Sequence, residues 1–139
     1  ILKPEVFLED YAYCIAMLLD LYEHTLKPNY LFKAKELCKK TIEFFYIKKQ
    51  SIFQKNIVAI NDLFHEPIDI SDGNIPNGNS IMLLNFVRLD MKKEAEELSN
   101  SLNGYLNIYE SLMASSIKSI EYFNTIESKK NCTEKGCLL

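Results

Sequence analysis

Residues 11–19, Tyr-Ala-Tyr-Cys-Ile-Ala-Met-Leu-Leu, form the stretch that decides the fold class of this chain. On a helix they are apolar nearly all round, and such a helix is buried on most sides rather than lying on a surface. We therefore predict an inner helix over about residues 5–24. Pro4 suits its start, because the first turn of a helix does not need that N–H group.

The next predicted helix spans about residues 29–46 and is amphipathic. Its apolar stripe consists of Tyr30, Ala34, Leu37, Cys38, Ile42 and Phe45. The remaining positions are mostly Lys and Glu, so the opposite face is expected to be in water. The two helices predict a hairpin with its first helix inside and its second outside.

The same contrast recurs in the second half of the sequence. A third, largely apolar helix begins near Asn79 or Ser80, either of which can cap it. An amphipathic helix over about 92–106 and a fifth helix over about 109–123 follow. Residues 47–68 contain short apolar runs that predict short strands or an irregular excursion. Alternating buried and amphipathic helices indicate an all-α, two-layer helical array.

Composition limits the classes of protein to consider. The 139 residues suffice for one domain, which we place at 1–123 and follow with a polar tail at 124–139. The net charge is −3 and the 16 basic residues are spread out, which argues against nucleic acid as a main partner. No apolar run reaches about 18 residues, so we expect no membrane partner. No signal-peptide pattern opens the sequence, and a cytoplasmic location is expected. The first residue is Ile1, which predicts a piece of a longer protein.

Residues 69–80, Asp-Ile-Ser-Asp-Gly-Asn-Ile-Pro-Asn-Gly-Asn-Ser, form a polar loop among these apolar helices. The Asp-Gly, Ile-Pro and Asn-Gly pairs are ordinary turn chemistry, so the loop can be a plain connector. It can equally carry a site, because loops held on a rigid scaffold often present functional groups.

Three stretches of the sequence resemble one known family. Residues 8–12 (Leu-Glu-Asp-Tyr-Ala) and 18–23 (Leu-Leu-Asp-Leu-Tyr-Glu) resemble the start of one of its inner helices. Residues 69–80 resemble its Asp-Gly…Pro-Ser-Gly-Asn-Ser loop, and Cys132 and Cys137 resemble its carboxy-terminal cysteine pair. The family is that of the YyaL-like proteins, which include a spermatogenesis-associated member in animals. Its loop Ser is replaced here by Asn77, which departs from the pattern.

The resemblance implies a fold and a function. YyaL-like proteins join a thioredoxin-like domain to a helical toroid of the six-hairpin glycosidase type. We therefore expect helical hairpins forming part of an (α/α)6 toroid, with the missing amino-terminal part of the protein as partner. The cavity is expected to bind or process a carbohydrate-type small molecule without a cofactor. The alternative is a non-catalytic scaffold or interaction domain that serves the redox domain.

Asp10 and Asp72 are the candidate catalytic residues. Glycoside cleavage uses two carboxylates about 5–10 Å apart, and these two would lie on different cavity loops. The alternative for Glu9 and Asp10 is a favourable charge at a helix amino terminus.

Four residues are candidates for substrate binding: Tyr11, Asn77, Asn79 and Ser80. Tyr11 could stack on a sugar ring, and Asn77 and Asn79 could hydrogen-bond to sugar hydroxyls. The alternative for the two asparagines is a role in turns and helix caps.

Cys132 and Cys137 are redox candidates, because they could exchange with a thioredoxin-like domain. They could also form a structural disulfide or remain two thiols in a reducing cytosol. We expect no metal site, because two cysteines without a nearby His do not complete a zinc site. His65, in the predicted excursion, is expected to be an ordinary surface residue.

Overall fold

The computed structural model describes residues 6–56 and 68–135, and the fold of these residues is all-α. Its five helices are α1 (Leu8–Thr25), α2 (Pro28–Phe45), α3 (Gly78–Arg88), α4 (Lys92–Tyr109) and α5 (Ala114–Lys135). A 3-10 turn at Glu110–Leu112 joins the last two. Strands β1 (Tyr46–Ile47) and β2 (Ile52–Phe53) form a small antiparallel hairpin in which Tyr46 is opposite Phe53. The predicted all-α fold with a short β excursion is confirmed, although 57–67 lie outside the described residues.

The first hairpin is made by a tight connection between α1 and α2. Leu26 adopts a left-handed conformation with φ of 55°, and its N–H donates to the carbonyl of Tyr22 at 2.7 Å. This geometry ends a helix by satisfying a free carbonyl of the last turn. Pro28 then starts α2, where its fixed φ suits the first helical position.

Helix α3 begins at Gly78, and its cap is Asn77 rather than the predicted Asn79 or Ser80. The Asn77 backbone is extended, and its side-chain oxygen accepts from the N–H of Ser80 at 3.0 Å. A side chain in this position satisfies an N–H of the first turn that has no partner within the helix. Asn79 and Ser80 therefore lie inside the helix.

Helices α1 and α3 run parallel to each other. Near their amino-terminal ends the Gly78 N–H donates to Glu9 Oε1 at 3.3 Å. Near their carboxy-terminal ends Arg88 pairs with Asp20 at 2.6 Å and with Glu23 at 3.0 Å. Contacts at matching ends of both helices show that the chain enters the two helices from the same side.

Helices α3 and α5 are also parallel. Near the start of both, the Ser119 hydroxyl donates to the Ser80 carbonyl at 3.0 Å. Beyond the end of α3, Asp90 pairs with Lys130 of α5 at 2.5 Å. The helices α1, α3 and α5 therefore form a parallel row, with α3 in the middle.

The other two helices return antiparallel and cover this row. Helix α2 packs against α1, and α4 packs against α3 and α5. Cys38 of α2 lies 3.8 Å from Met91, measured between sulfurs, and Tyr46 donates to Glu97 of α4 at 3.2 Å. These contacts place α2 and α4 on the same side of the row, as a second layer.

The helices α1 and α3, both predicted from the sequence to be largely apolar and buried, differ in how much of their surface is buried. Helix α3 is enclosed, with buried positions Gly78, Asn79, Ser80, Met82, Leu83, Asn85 and Phe86. Helix α1 buries only one stripe, Leu8, Ala12, Ile15 and Leu19, and Met17 is 50% exposed. The prediction that α1 is buried on most sides is wrong for the described residues, because α1 lies at the end of the row.

Helix α5 differs from the prediction at both ends. It begins at Ala114 rather than near 109, because α4 continues to Tyr109 and a 3-10 turn follows. It continues to Lys135, beyond the predicted end at Phe123. Lys92 pairs with Glu127 at 2.5 Å, and the Lys130–Asp90 pair lies one turn further on. These charged contacts hold the polar part of α5 against the α3–α4 turn.

Candidate functional site

The amino-terminal ends of α1, α3 and α5 lie together at one end of the row. Loop 68–77 crosses this end, and we call the loop with these three helix starts the polar end. Within the loop Ser71 and residues 73–76 are exposed, whereas Asp72 is half-buried and Asn77 is buried. Loop 68–77 is therefore less exposed at Asp72 and Asn77 than at its tip, residues 73–76.

Asp72 anchors the loop to the start of α5. Its Oδ2 accepts from the Ser115 N–H at 2.7 Å, and its Oδ1 accepts from the Ser115 hydroxyl and from the Asn77 N–H at 3.0 Å. A first-turn N–H of α5 is thus capped by a residue 43 positions earlier in the chain. Burial raises the pKa of Asp72, but the hydrogen bonds from Ser115 and Asn77 outweigh it and the pKa lies below the usual value.

This environment keeps Asp72 ionised at neutral pH. A general acid must carry a proton at the working pH, so the surroundings of Asp72 suit a fixed anion better than an acid. Its predicted catalytic role stays a prediction, because nothing in the structure tests turnover.

Asn77 joins the loop to α3 through both ends of its side-chain amide. Its Nδ2 donates to the Ile70 carbonyl at 3.1 Å and to Asp72 Oδ1 at 2.9 Å, while Oδ1 caps α3. The Ser80 hydroxyl donates to the Asn77 carbonyl at 2.7 Å and lies 2.8 Å from the Ser115 hydroxyl. Asn77 and Ser80 are thus brought together with Asp72, as parts of one internal network.

Asn79 faces the β hairpin instead of the loop tip. Its Oδ1 accepts from the Phe53 N–H at 2.9 Å, and its Nδ2 donates to the carbonyls of Phe53 at 3.0 Å and Asp69 at 3.2 Å. The side chain is fully buried. Sequence patterns do not reveal this contact, because it joins residues 26 positions apart.

On the α1 side, the carboxylate that reaches the loop is Glu9 rather than Asp10. Glu9 accepts from the Gly78 N–H, and the Tyr13 hydroxyl donates to the Pro76 carbonyl at 3.1 Å. Burial, followed by the negative charges of Asp72 and Glu9, raises the pKa of Tyr13. Asp10 is exposed. One residue along a helix turns a side chain by about 100°, which explains the difference.

Tyr11, predicted to stack on a sugar, packs into the space between the first two helices. Its ring meets Phe45 of α2 edge to face, with the centroids 5.4 Å apart. This contact contributes to the core of the hairpin. Ligand binding by Tyr11 stays a prediction.

On the α4 side of the loop lies an open groove of about 310 Å³. It is lined by Ile68, Asp69, Ile70, Ser71, Tyr105, Tyr109 and Leu112. The sequence analysis did not single out Tyr105 and Tyr109. Their spacing of four residues at the end of an amphipathic helix is the signal that could have identified them, since such residues lie on one face.

Asp69 and Lys55 form an ion pair beside this groove. Lys55 Nζ lies 2.7 Å from Asp69 Oδ2, and Asp69 Oδ1 accepts from the N–H of Ser71 at 3.2 Å and its hydroxyl at 2.9 Å. Burial raises the pKa of Asp69, but the bonds from Lys55 and Ser71 outweigh it, and the pKa lies below the usual value. The Lys55 pKa is raised by the same pair.

The cysteines of the described residues differ in how much they are exposed to solvent. Cys132 is exposed on α5, and Cys137 lies outside the described residues, as does His65. Cys38 is buried, and its burial, together with the charge of Glu94, raises the pKa of the thiol to about 12. The redox role of Cys132 and Cys137 stays a prediction.

Neither a metal cluster nor a membrane-spanning helix occurs in the described residues. No three His, Cys, Asp or Glu side chains among them are grouped so as to hold a metal ion. None of the helices in 6–56 and 68–135 has the length and apolar character needed to cross a bilayer.

Comparisons of this chain with protein-family models, with curated proteins and with solved structures found no match.

Proposed function

We propose that this chain is an arc of a two-layer helical toroid whose polar end binds a carbohydrate-type small molecule. The observation that carries the proposal is the parallel row of α1, α3 and α5, with α2 and α4 returning as a second layer. In a closed ring of such hairpins, the starts of all inner helices surround one hollow. Loop 68–77 would then face that hollow.

The resemblance to YyaL-like proteins supports the same architecture. Its motifs fall on the start of α1 and on the loop before α3, which are adjacent in the structure through Glu9 and Gly78. Further hairpins would extend the row beside α1 and beside α5. They would come from the amino-terminal part of the protein, with its thioredoxin-like domain, which is our proposed partner.

Binding is better supported than catalysis by the chemistry of the polar end. The Asp72 carboxylate accepts hydrogen bonds from Ser115 and Asn77, so it is committed to holding the loop in place. Such a framework holds the base of the loop in place and leaves Asn74 exposed, so that its amide can exchange hydrogen bonds with sugar hydroxyls. Turnover by Asp10 and Asp72 is the less supported form of the proposal.

A second candidate function is an interaction domain, favoured by exposed apolar residues. Ile75 at the loop tip is 55% exposed, Ile108 is exposed in the last turn of α4, and Leu112 is exposed in the 3-10 turn that follows. Exposed apolar side chains grouped near one end of a protein are typical of contacts with other proteins.

Calorimetric titration of the complete protein with neutral mono- and disaccharides tests the proposed function. Asn74→Ala removes an exposed amide at the loop tip, and Asn100→Ala removes an exposed amide on α4 as the matched control. We expect Asn74→Ala alone to weaken binding. The absence of binding to any neutral sugar would contradict the proposal. Sugar turnover that disappears in Asp10→Asn and in Asp72→Asn, while circular dichroism shows that both variants keep the fold, would instead establish the catalytic form.

A further inference from the structure

We infer that the groove between α4 and loop 68–71 is a subsite for one neutral pyranose ring. This inference rests on the proposed function and narrows it to a particular wall of the polar end and to uncharged sugars. Three features of the groove carry it: an aromatic wall, a polar wall with a hydrogen-bond acceptor, and the absence of an unpaired charge among its described lining residues.

The aromatic wall is made by the last turns of α4. Tyr105 and Tyr109 are four residues apart, so they lie one above the other on one helix face. Leu112 continues this wall, and Ile68 and Ile70 contribute apolar surface from the loop. One face of a pyranose ring presents mainly C–H groups, which pack well against a tyrosine ring.

The polar wall is made by Asp69 and Ser71, and Lys55 pairs with Asp69 from beside the groove. The hydroxyl groups of Tyr105 and Tyr109, on the aromatic wall, can each donate one hydrogen bond. The Asp69 carboxylate has about four acceptor positions, of which the bonds from Lys55 and Ser71 use three. Counting only bonds among the described residues, one acceptor position of Asp69 remains, in the same groove as the tyrosine hydroxyls. Adjacent sugar hydroxyls, each able to donate and accept, complement this arrangement.

The charge balance of the groove selects against phosphorylated sugars. Asp69 is the one charged side chain among the described residues that line the groove, and its charge is neutralised by Lys55. A phosphate group requires cations or several free N–H groups to replace its water. A neutral ring requires neither.

The size of the groove fits one ring. Its volume of about 310 Å³ is near the lower end of the range for small-molecule sites, which is roughly 300–1,000 Å³. The groove is open to solvent on one side, so a second sugar unit could project outward from the first.

Titration of this chain with methyl β-glucopyranoside, followed by amide chemical shifts, tests the inference. We expect shifts in residues 68–71 and 105–112. Tyr109→Ala is expected to weaken binding about tenfold, because it removes an aromatic anchor. Tyr109→Phe keeps the ring and should bind nearly as well as the natural chain. Tyr122→Ala is the control, since Tyr122 is 44% exposed and Tyr109 is 45% exposed.

The outcomes separate this inference from the proposed function. Shifts confined to residues 9–13 and 72–77 would overturn the groove subsite and leave sugar binding at the polar end intact. Glucose 6-phosphate binding as tightly as the neutral glucoside would overturn the claim of a neutral ligand. The absence of binding of any neutral sugar both to this chain and to the complete protein would overturn both proposals. Unchanged affinity in Tyr109→Ala would also overturn the subsite.

Discussion

The side-chain amide of Asn79 pairs with the backbone of Phe53 as a neighbouring strand would. Its oxygen accepts from the Phe53 N–H at 2.9 Å, and its nitrogen donates to the Phe53 carbonyl at 3.0 Å. One side chain at the start of α3 therefore satisfies both backbone groups of a buried residue in β2. This contact fixes the β hairpin relative to the central helix.

Replacing Asn79 with Ala should destabilise the protein strongly. Both Phe53 backbone groups would remain buried without their partner, and we expect the free energy of unfolding to fall by about 2–4 kcal/mol. Urea unfolding followed by circular dichroism measures this change. Asn103→Ala, at an exposed position of α4, is the matched control and should change it little. An equal effect of both substitutions would show that the Phe53 contact is unimportant.

Gly78 allows the starts of α1 and α3 to approach each other closely. A Cβ atom at this position would lie 2.8 Å from Leu8 Cγ and Cδ2 and 3.2 Å from Glu9 Oε1. Gly78→Ala should therefore push α1 away from α3 and reduce the free energy of unfolding by about 1–3 kcal/mol.

Gly104→Ala is the internal control for this substitution. Apart from Gly104, its chain neighbours and the nearby backbone of α4, no described atom lies within 4 Å of the corresponding Cβ position. Alanine there should stabilise the helix by about 0.5–1 kcal/mol. If Gly78→Ala also stabilised the protein, the close approach of the two helices would be refuted.

Stability should decrease in acid because of Asp72 and Asp69. Hydrogen bonds hold the pKa of each folded carboxyl below its usual value of 3.8. A carboxyl group whose pKa is lower in the folded than in the unfolded protein stabilises the folded state at pH values above the unfolded pKa. This stabilisation is lost as the pH falls through the folded pKa. The free energy of unfolding should therefore fall below about pH 4.

Asp72→Asn separates this effect from general acid unfolding. An amide cannot accept from all the N–H and O–H groups of Ser115 and Asn77, so we expect a loss of about 1–3 kcal/mol at pH 7. Its stability should also vary less between pH 5 and pH 3 than that of the natural chain. Asp10→Asn, at an exposed carboxylate, is the control. If the free energy of unfolding depended on pH in the same way in the natural chain and in Asp72→Asn, a contribution from Asp72 would be ruled out.

Cys38 should react far more slowly with thiol reagents than Cys132. Burial and a pKa of about 12 leave Cys38 with very little thiolate at neutral pH, whereas Cys132 is exposed. Labelling with iodoacetamide, mapped by peptide mass, gives the two rates. Fast labelling of Cys38 in the folded protein would contradict its buried position on α2, where it packs against Met91 of the α3–α4 turn.

The helical pattern could be predicted from the sequence because apolar and charged positions alternate with helical spacing. The amphipathic character of α2 is one example, since Ala34, Cys38 and Phe45 are buried as the stripe predicts. The helix ends were less predictable. Asn77 caps α3 although two later residues carry equally suitable side chains, and the choice depends on an extended backbone that the loop imposes.

At the candidate site, sequence patterns could not predict which residues from distant parts of the chain are in contact. The loop motif directed attention to Asp72, Asn77 and Ser80, which the structure joins in one hydrogen-bond network. It could not show that their polar atoms bond to Ser115, because that contact spans 43 residues. It also could not distinguish Glu9 from Asp10, since the orientation of α1 relative to α3 decides which of them reaches the loop.

A structure of the complete protein crystallised with a neutral glucoside tests the central claim most directly. We predict that the parallel row of α1, α3 and α5 continues into a closed ring, with the sugar at the polar end against loop 68–77. Helices that close on themselves without further hairpins, or a sugar bound away from the polar end, would contradict the account.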